Sequence, residues 1–128
     1  MKLTQVRLSR RDRSMLEQAK RIASTSSCRF KHGAVVVKGG RVLSVGVNSQ
    51  RNDRDVYSTL PDGARQVHAE YAALRALGGY ARGATVYVAR VNNFGEARMS
   101  MPCSRCQTLL RLAGVKRVVY TIDMEMDL

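Results

Sequence analysis

The stretch "GAVVVKGGRVLSVGVN", Gly33 to Asn48, decides the architecture. Two runs rich in β-branched residues flank Gly39-Gly40, a pair favoured in tight turns, so the segment reads as a β-hairpin. Upstream, Ser9 with Asp12 three residues on resembles a capping box, and Met15, Leu16, Ala19, Ile22 and Ala23 follow at helical spacing. That pattern predicts a first helix ending in the polar cluster Ser24 to Ser27. Downstream, Ser49 to Gln66 is polar, contains Pro61-Asp62-Gly63 and shows no periodicity. It reads as a long loop, and loops of that length in compact domains tend to be functional or mobile.

A second helix is expected from Val67 to Leu77, stopped by Gly78-Gly79. "ATVYVARV", Ala84 to Val91, reads as a strand, and Asn92 to Met101 as a second irregular loop. Pro102 suits the first turn of a third helix, Cys103 to Leu112, because its missing N–H costs nothing there. "KRVVYTI", Lys116 to Ile122, is a final strand. Strands interleaved with helices indicate a three-layer α/β/α domain with a mixed, partly parallel central sheet. No internal repeat or linker interrupts the chain, so residues 1–128 are expected to form a single domain, with residues 1–8 as a flexible basic tail.

A chain of 128 residues can bury a core without disulfides. Its three cysteines are an odd number, which disfavours a disulfide framework, and Cys28 reads as a small apolar filler. No apolar run approaches the roughly 20 residues of a membrane span. "MKLTQVRLSRRDRS" has no apolar stretch of the signal-peptide type, so a cytoplasmic location is expected. The net charge of +12 is unevenly distributed. No acidic residue lies between Gln18 and Asn52, and only Glu96 is acidic between Tyr71 and Ile122. Such a surface attracts polyanions, so phosphate-bearing partners are plausible, although a solvated basic surface accounts for the charge equally well.

The chemistry lies in two short motifs. Cys103 and Cys106 are three apart, so on a helix they share a face, as two ligands of one ion must. In a first turn the free N–H groups and the helix dipole favour thiolate, the form that binds zinc. A redox dithiol or two structural cysteines are the alternatives. His68 and Glu70 are two apart and do not share a helix face, but at a helix start both can converge on a point beyond its end. His68, Cys103 and Cys106 with one water would then complete a catalytic tetrahedral zinc site. A water held there would have its pKa lowered to about 7, within reach of Glu70.

His68-Ala69-Glu70 followed by Pro102-Cys103-Ser104-Arg105-Cys106 matches the H-x-E…P-C-x-x-C signature of zinc nucleobase deaminases. "SSCRFKHGAVVVKGGRVLSVGVN" resembles the first hairpin of the cytidine and deoxycytidylate deaminase superfamily, and "GVKRVVY" resembles its strand after the second zinc helix. The resemblance spans about Ser9 to Tyr120 and implies a cytidine deaminase-like fold with one catalytic Zn2+. It also implies hydrolytic removal of an exocyclic ring amine as ammonia. By that resemblance Glu70 is the catalytic general base and acid, while His68, Cys103 and Cys106 hold the metal. The Ala69 N–H would hold the base carbonyl, carbonyls around Ser100 the amine, and Asn48 the sugar or base. Relatives commonly assemble, so a homo-oligomer is expected.

The substrate is less sharply drawn. The serine-rich, cysteine-containing entry leans toward deoxycytidylate deaminases. Gly46-Val47-Asn48-Ser49 and His68 to Ala73, however, depart from that branch's G-Y-N-G and H-A-E-x-N-A. Ser104-Arg105 and the short C-terminal stretch depart from tRNA adenosine deaminases. A free cytosine nucleoside or nucleotide is the favoured substrate. Deamination of cytosine or adenine in single-stranded DNA, RNA or tRNA is the alternative. There Arg51, Arg54 and Arg65 with Tyr57, or Arg98 with Phe94, would meet phosphate and stack bases. A catalytically inactive, zinc-stabilised nucleic-acid-binding module is the non-enzymatic alternative, and Glu70 argues against it.

Overall fold

The computed structural model describes residues 1–5, 7–49 and 67–123. The long loop expected after Ser49, with Arg51, Arg54, Tyr57 and Arg65, lies outside the described residues.

The elements follow in the order β1 (Lys2–Thr4), α1 (Arg10–Ser24), β2 (Lys31–Lys38), β3 (Arg41–Val47) and α2 (Ala69–Arg75). A 3-10 turn (Gly78–Ala81) then leads to β4 (Thr85–Val91), β5 (Ala97–Arg98), α3 (Ser104–Leu112) and β6 (Arg117–Tyr120). The sheet runs β1-β6-β4-β2-β3, with β5 paired to β4 beyond the end of β6. β1–β6 and β4–β6 are parallel, and β2–β3, β2–β4 and β4–β5 antiparallel, giving the mixed sheet expected.

Period-2 alternation sorts the side chains into two cores. Ala34, Val36, Val86, Val88, Val118 and Tyr120 face α2 and α3, meeting Ala69, Ala73 and Leu110. Val35, Val37, Tyr87, Ala89 and Val119 face α1, meeting Leu16 and Ala19. Helices therefore cover both faces, as the three-layer reading requires. Gly33 and Gly46 let the helices approach. A Cβ on Gly33 would meet Ala23 N at 2.5 Å in α1, and one on Gly46 would meet Ala73 N at 2.5 Å in α2.

The capping box at Ser9 forms as predicted: Asp12 N donates to Ser9 Oγ at 3.0 Å and Ser9 N to Asp12 Oδ2 at 3.2 Å. Four expectations change. The first eight residues are not all tail, because Lys2–Thr4 pairs with β6 and Leu3 packs on the core. The stretch Asn92 to Met101 contains β5, where Ala97 and Arg98 take up the part of the β4 edge that β6 leaves unpaired. The second helix begins at Ala69, since Val67 is held extended by a two-bond bridge to Ser49 (2.8 and 3.0 Å). The third begins at Ser104, so Pro102 precedes the N-cap rather than opening the first turn.

Candidate active site

The last two shifts build the site. His68 is the N-cap of α2 (φ −76°, ψ 149°) and Cys103 the N-cap of α3 (φ −65°, ψ 167°). Serine, threonine, asparagine or aspartate at an N-cap usually turns back to accept from its own helix. Neither His68 nor Cys103 makes such a bond, and each points at the other instead. Cys106 falls at the third helical position of α3, the position that faces an N-cap residue in a capping box. Two residue types that cap poorly thus occupy two helix starts and converge between them.

His68 Nδ1 lies 3.2 Å from Cys106 Sγ and 3.8 Å from Cys103 Sγ, and the three ligand atoms lie within 4.8 Å of one another. Tetrahedral zinc with N and S ligands at roughly 2.1 and 2.3 Å would hold them about 3.6 Å apart. The two measured separations bracket that value, so the donor set fits zinc in both chemistry and geometry, with His68 offering Nδ1. His68, Cys103 and Cys106 form a candidate zinc-binding group.

Glu70, at the second position of α2, is 5% exposed. Burial raises its carboxyl above the ordinary range, opposed by its own backbone N–H, by His68 and by a hydrogen bond with Cys106. Burial also pushes the Cys106 thiol up, with Glu70 and Cys103 adding to the effect. A dication held there would favour the charged forms of both groups.

A cavity of about 150 Å³ opens over the group, lined by His32, Asn48, His68, Ala69, Glu70, Ser100, Met101 and Cys103. Every described residue predicted for metal, catalysis or substrate contact lines it except Cys106, which is buried, and Arg98 and Phe94. The Asn48 side chain reaches the cavity while also bracing its rim: Oδ1 accepts from His32 N at 3.0 Å and Nδ2 donates to Phe30 O at 2.6 Å. Ser100 lines the cavity with its Oγ spent on Val88 O and Thr121 and its N–H on Thr121 O, so its carbonyl is the group left to offer a substrate. Ala69, fully buried, opens α2 with its first-turn N–H unmatched within the helix. Arg98 sits on β5 opposite Arg90 and donates to Ala97 O at 3.0 Å.

His32 and Met101 were not singled out from the sequence. The signal for His32 was its place in the alternation, since it precedes Ala34 and Val36 on the face toward α2 and α3. Burial, then Arg90 and His68, lower its imidazole to about 4, so it is neutral at physiological pH.

This arrangement, a His-Cys-Cys metal group with a buried carboxyl between two helix starts, defines a zinc-dependent hydrolytic enzyme. Residues 9–122 match the cytidine and deoxycytidylate deaminase zinc-binding region, and the chain belongs to that family. No curated protein matches the sequence. Among solved structures, the dCMP deaminase of cyanophage S-TIM5 is similar at 23% identity and TM-score 0.67, covering 94% of this chain and 90% of that one. The cytidine deaminase of Mycobacterium tuberculosis is similar at 26% identity and TM-score 0.55, covering 84% and 81%. Acinetobacter baumannii RibD shares 28% identity at TM-score 0.57 over 85% of this chain and 27% of its own. Among the described residues no helix is long and apolar enough to cross a membrane.

Proposed function

We propose that this chain, acting as one domain, removes the exocyclic amine of cytosine in a free nucleoside or nucleotide, giving the uracil product and ammonia. The observation that carries the reading is the buried Glu70 carboxyl lining a small cavity beside His68, Cys103 and Cys106. A purely structural zinc site has no use for a carboxyl there.

When bound, zinc supplies Lewis acidity that makes water a nucleophile at neutral pH. Glu70 would accept one proton from that water and pass it to the ring nitrogen as the oxygen adds, then take the second from the resulting hydroxyl and pass it to the amine, which leaves as ammonia as the carbonyl forms. A buried carboxyl with a raised affinity for protons is matched to relaying the two protons in turn. The Ala69 N–H fixes the base carbonyl and the Ser100 backbone the amine, while Asn48 meets the sugar or base. The cavity is well under the ~300–1,000 Å³ of clefts that enclose a whole drug-sized ligand, so it suits one ring, with the remainder of the substrate at the mouth.

A polynucleotide substrate is the second reading. It is favoured by Phe30, 48% exposed two residues from His32, with Arg29 and Arg90 over its ring at 5.4 and 4.8 Å. A half-exposed aromatic beside two guanidiniums offers apolar surface to a neighbouring base and positive charge to its phosphate. Ammonia release from cytidine, dCMP, a cytosine oligonucleotide and adenosine substrates separates the readings. Cytidine or dCMP turnover is expected, with Glu70→Gln retaining zinc and losing at least ~100-fold in rate. A zinc-loaded protein inert toward every base in the panel would sink the enzyme reading.

A further inference from the structure

We infer that the chain carries a second, anion-binding cleft at the opposite end of the sheet, built to take a condensed phosphate chain of two or more phosphates. The cleft measures about 340 Å³ and lies where β2 ends and β4 and β6 begin. It is six residues along β2 from His32, or about 20 Å from the zinc-site cavity. Its lining includes Arg11, Lys38, Lys116 and Arg117, with Asp12 the one acidic residue among them.

That acid is fully spent. Asp12 accepts from Tyr87 Oη at 2.8 Å, from Arg117 Nη1 and Nη2 at 3.0 and 2.6 Å, and from Ser9 N at 3.2 Å. Its charge offsets Arg117, and its hydrogen bonds close the N-terminus of α1. Arg11, Lys38 and Lys116 remain, and none of them forms an ion pair among the described residues. The Arg11 guanidinium lies over the hairpin turn, 3.6 Å from where a Cβ on Gly40 would sit. Lys38 reaches across toward Gly83, its Cε 3.9 Å from the corresponding position there.

Three uncompensated cations around one concavity repel one another, and a multiply charged anion relieves that repulsion. One phosphate cannot meet three cations spread over a cleft of this size as well as a chain of two or three can. The cleft offers no exposed aromatic face, since Tyr87 is buried and its hydroxyl engaged, so phosphate is read and a base is not. The inference is independent of the deaminase chemistry.

The test is calorimetric titration of the full chain with tripolyphosphate, inorganic phosphate, a nucleoside triphosphate and a single-stranded oligonucleotide. Amide shifts are followed in parallel. Tripolyphosphate is expected to bind one to one, at least 10-fold more tightly than phosphate, with shifts at Arg11, Gly39 and Gly40. Lys38→Ala with Lys116→Ala should weaken it at least 10-fold, while Arg21→Ala with Arg29→Ala, equal in charge and toward the other end of the sheet, should change it less than 2-fold. Equal affinity for the nucleotide makes the phosphate chain the whole ligand; tighter binding of the nucleotide would show that a base is read and overturn the inference as stated. Equal weakening in both double variants, shifts confined to the His68 and Cys103 end, or binding of the oligonucleotide alone would overturn the inference.

Discussion

Gly46 governs how closely α2 approaches the hairpin, and so where His68 and Glu70 stand. A Cβ there would run into the Ala69 carbonyl and lie 2.5 Å from Ala73 N, both backbone atoms that cannot swing aside. Gly46→Ala should therefore cost about 1–3 kcal/mol of stability by overpacking. It should also lower zinc content per chain, measured by denaturant unfolding and metal analysis. Asp12 works at the other end of the sheet. Burial alone would raise its carboxyl, yet hydrogen bonds from Arg117, Tyr87 and the Ser9 N–H, with the charge of Arg117, hold it at about 2. A carboxyl lower in the folded chain than the ~3.9 of an unfolded one stabilises the fold above that value. Roughly 2 kcal/mol should be lost as pH falls from about 4 to about 2. Asp12→Asn should lack that slope in unfolding titrations across the same range. The motif residues His68, Glu70, Cys103 and Cys106 were legible from type and spacing. Gly46's role was not, because the helix that crowds it lies more than twenty residues away in sequence.

The two zinc-bearing helices show what an element boundary can do. The second was visible from its glycine stop and the third from the proline at its start, yet both starts move by one or two residues from the sequence reading. The displacement is functional: a residue inside the first turn points along the helix surface, whereas an N-cap residue projects beyond the end. The Ser49–Val67 bridge imposes that boundary on α2 and was invisible in a polar stretch without periodicity. α3 is held to the sheet by fully buried Leu110, one turn beyond Cys106. Leu110→Ala should cost about 2–5 kcal/mol, read by denaturant unfolding. Because it loosens the helix that carries both sulfur ligands, it should also speed zinc loss to a competing chelator.

At the scale of the molecule, the sheet separates a small metal-bearing cavity at one end from a larger cationic cleft at the other. Zinc would tie α2 to α3 across the first of these ends, so its removal by a chelator should lower Tm, with recovery on adding zinc back. Since burial, Glu70 and Cys103 hold the Cys106 thiol up, zinc uptake at pH 7 should release at least one proton. That release is read from the dependence of binding enthalpy on the buffer's own ionisation heat. The sequence by itself determined the layer architecture, because period-2 and 3.6-residue apolar patterns are local and were preserved on folding. It also pointed to His68, Cys103 and Cys106 as a candidate zinc group, because two thiols three apart and a histidine at a helix start have that chemistry in their types and short spacing. Only the tertiary structure decided that Lys2–Thr4 closes an edge of the sheet and that β5 completes β4. Only it brought His32 into the same cavity as Glu70, and Arg11, Lys38 and Lys116 around one cleft. Those relations join residues far apart in the chain, and neither hydrophobic period nor motif spacing carries information across such distances.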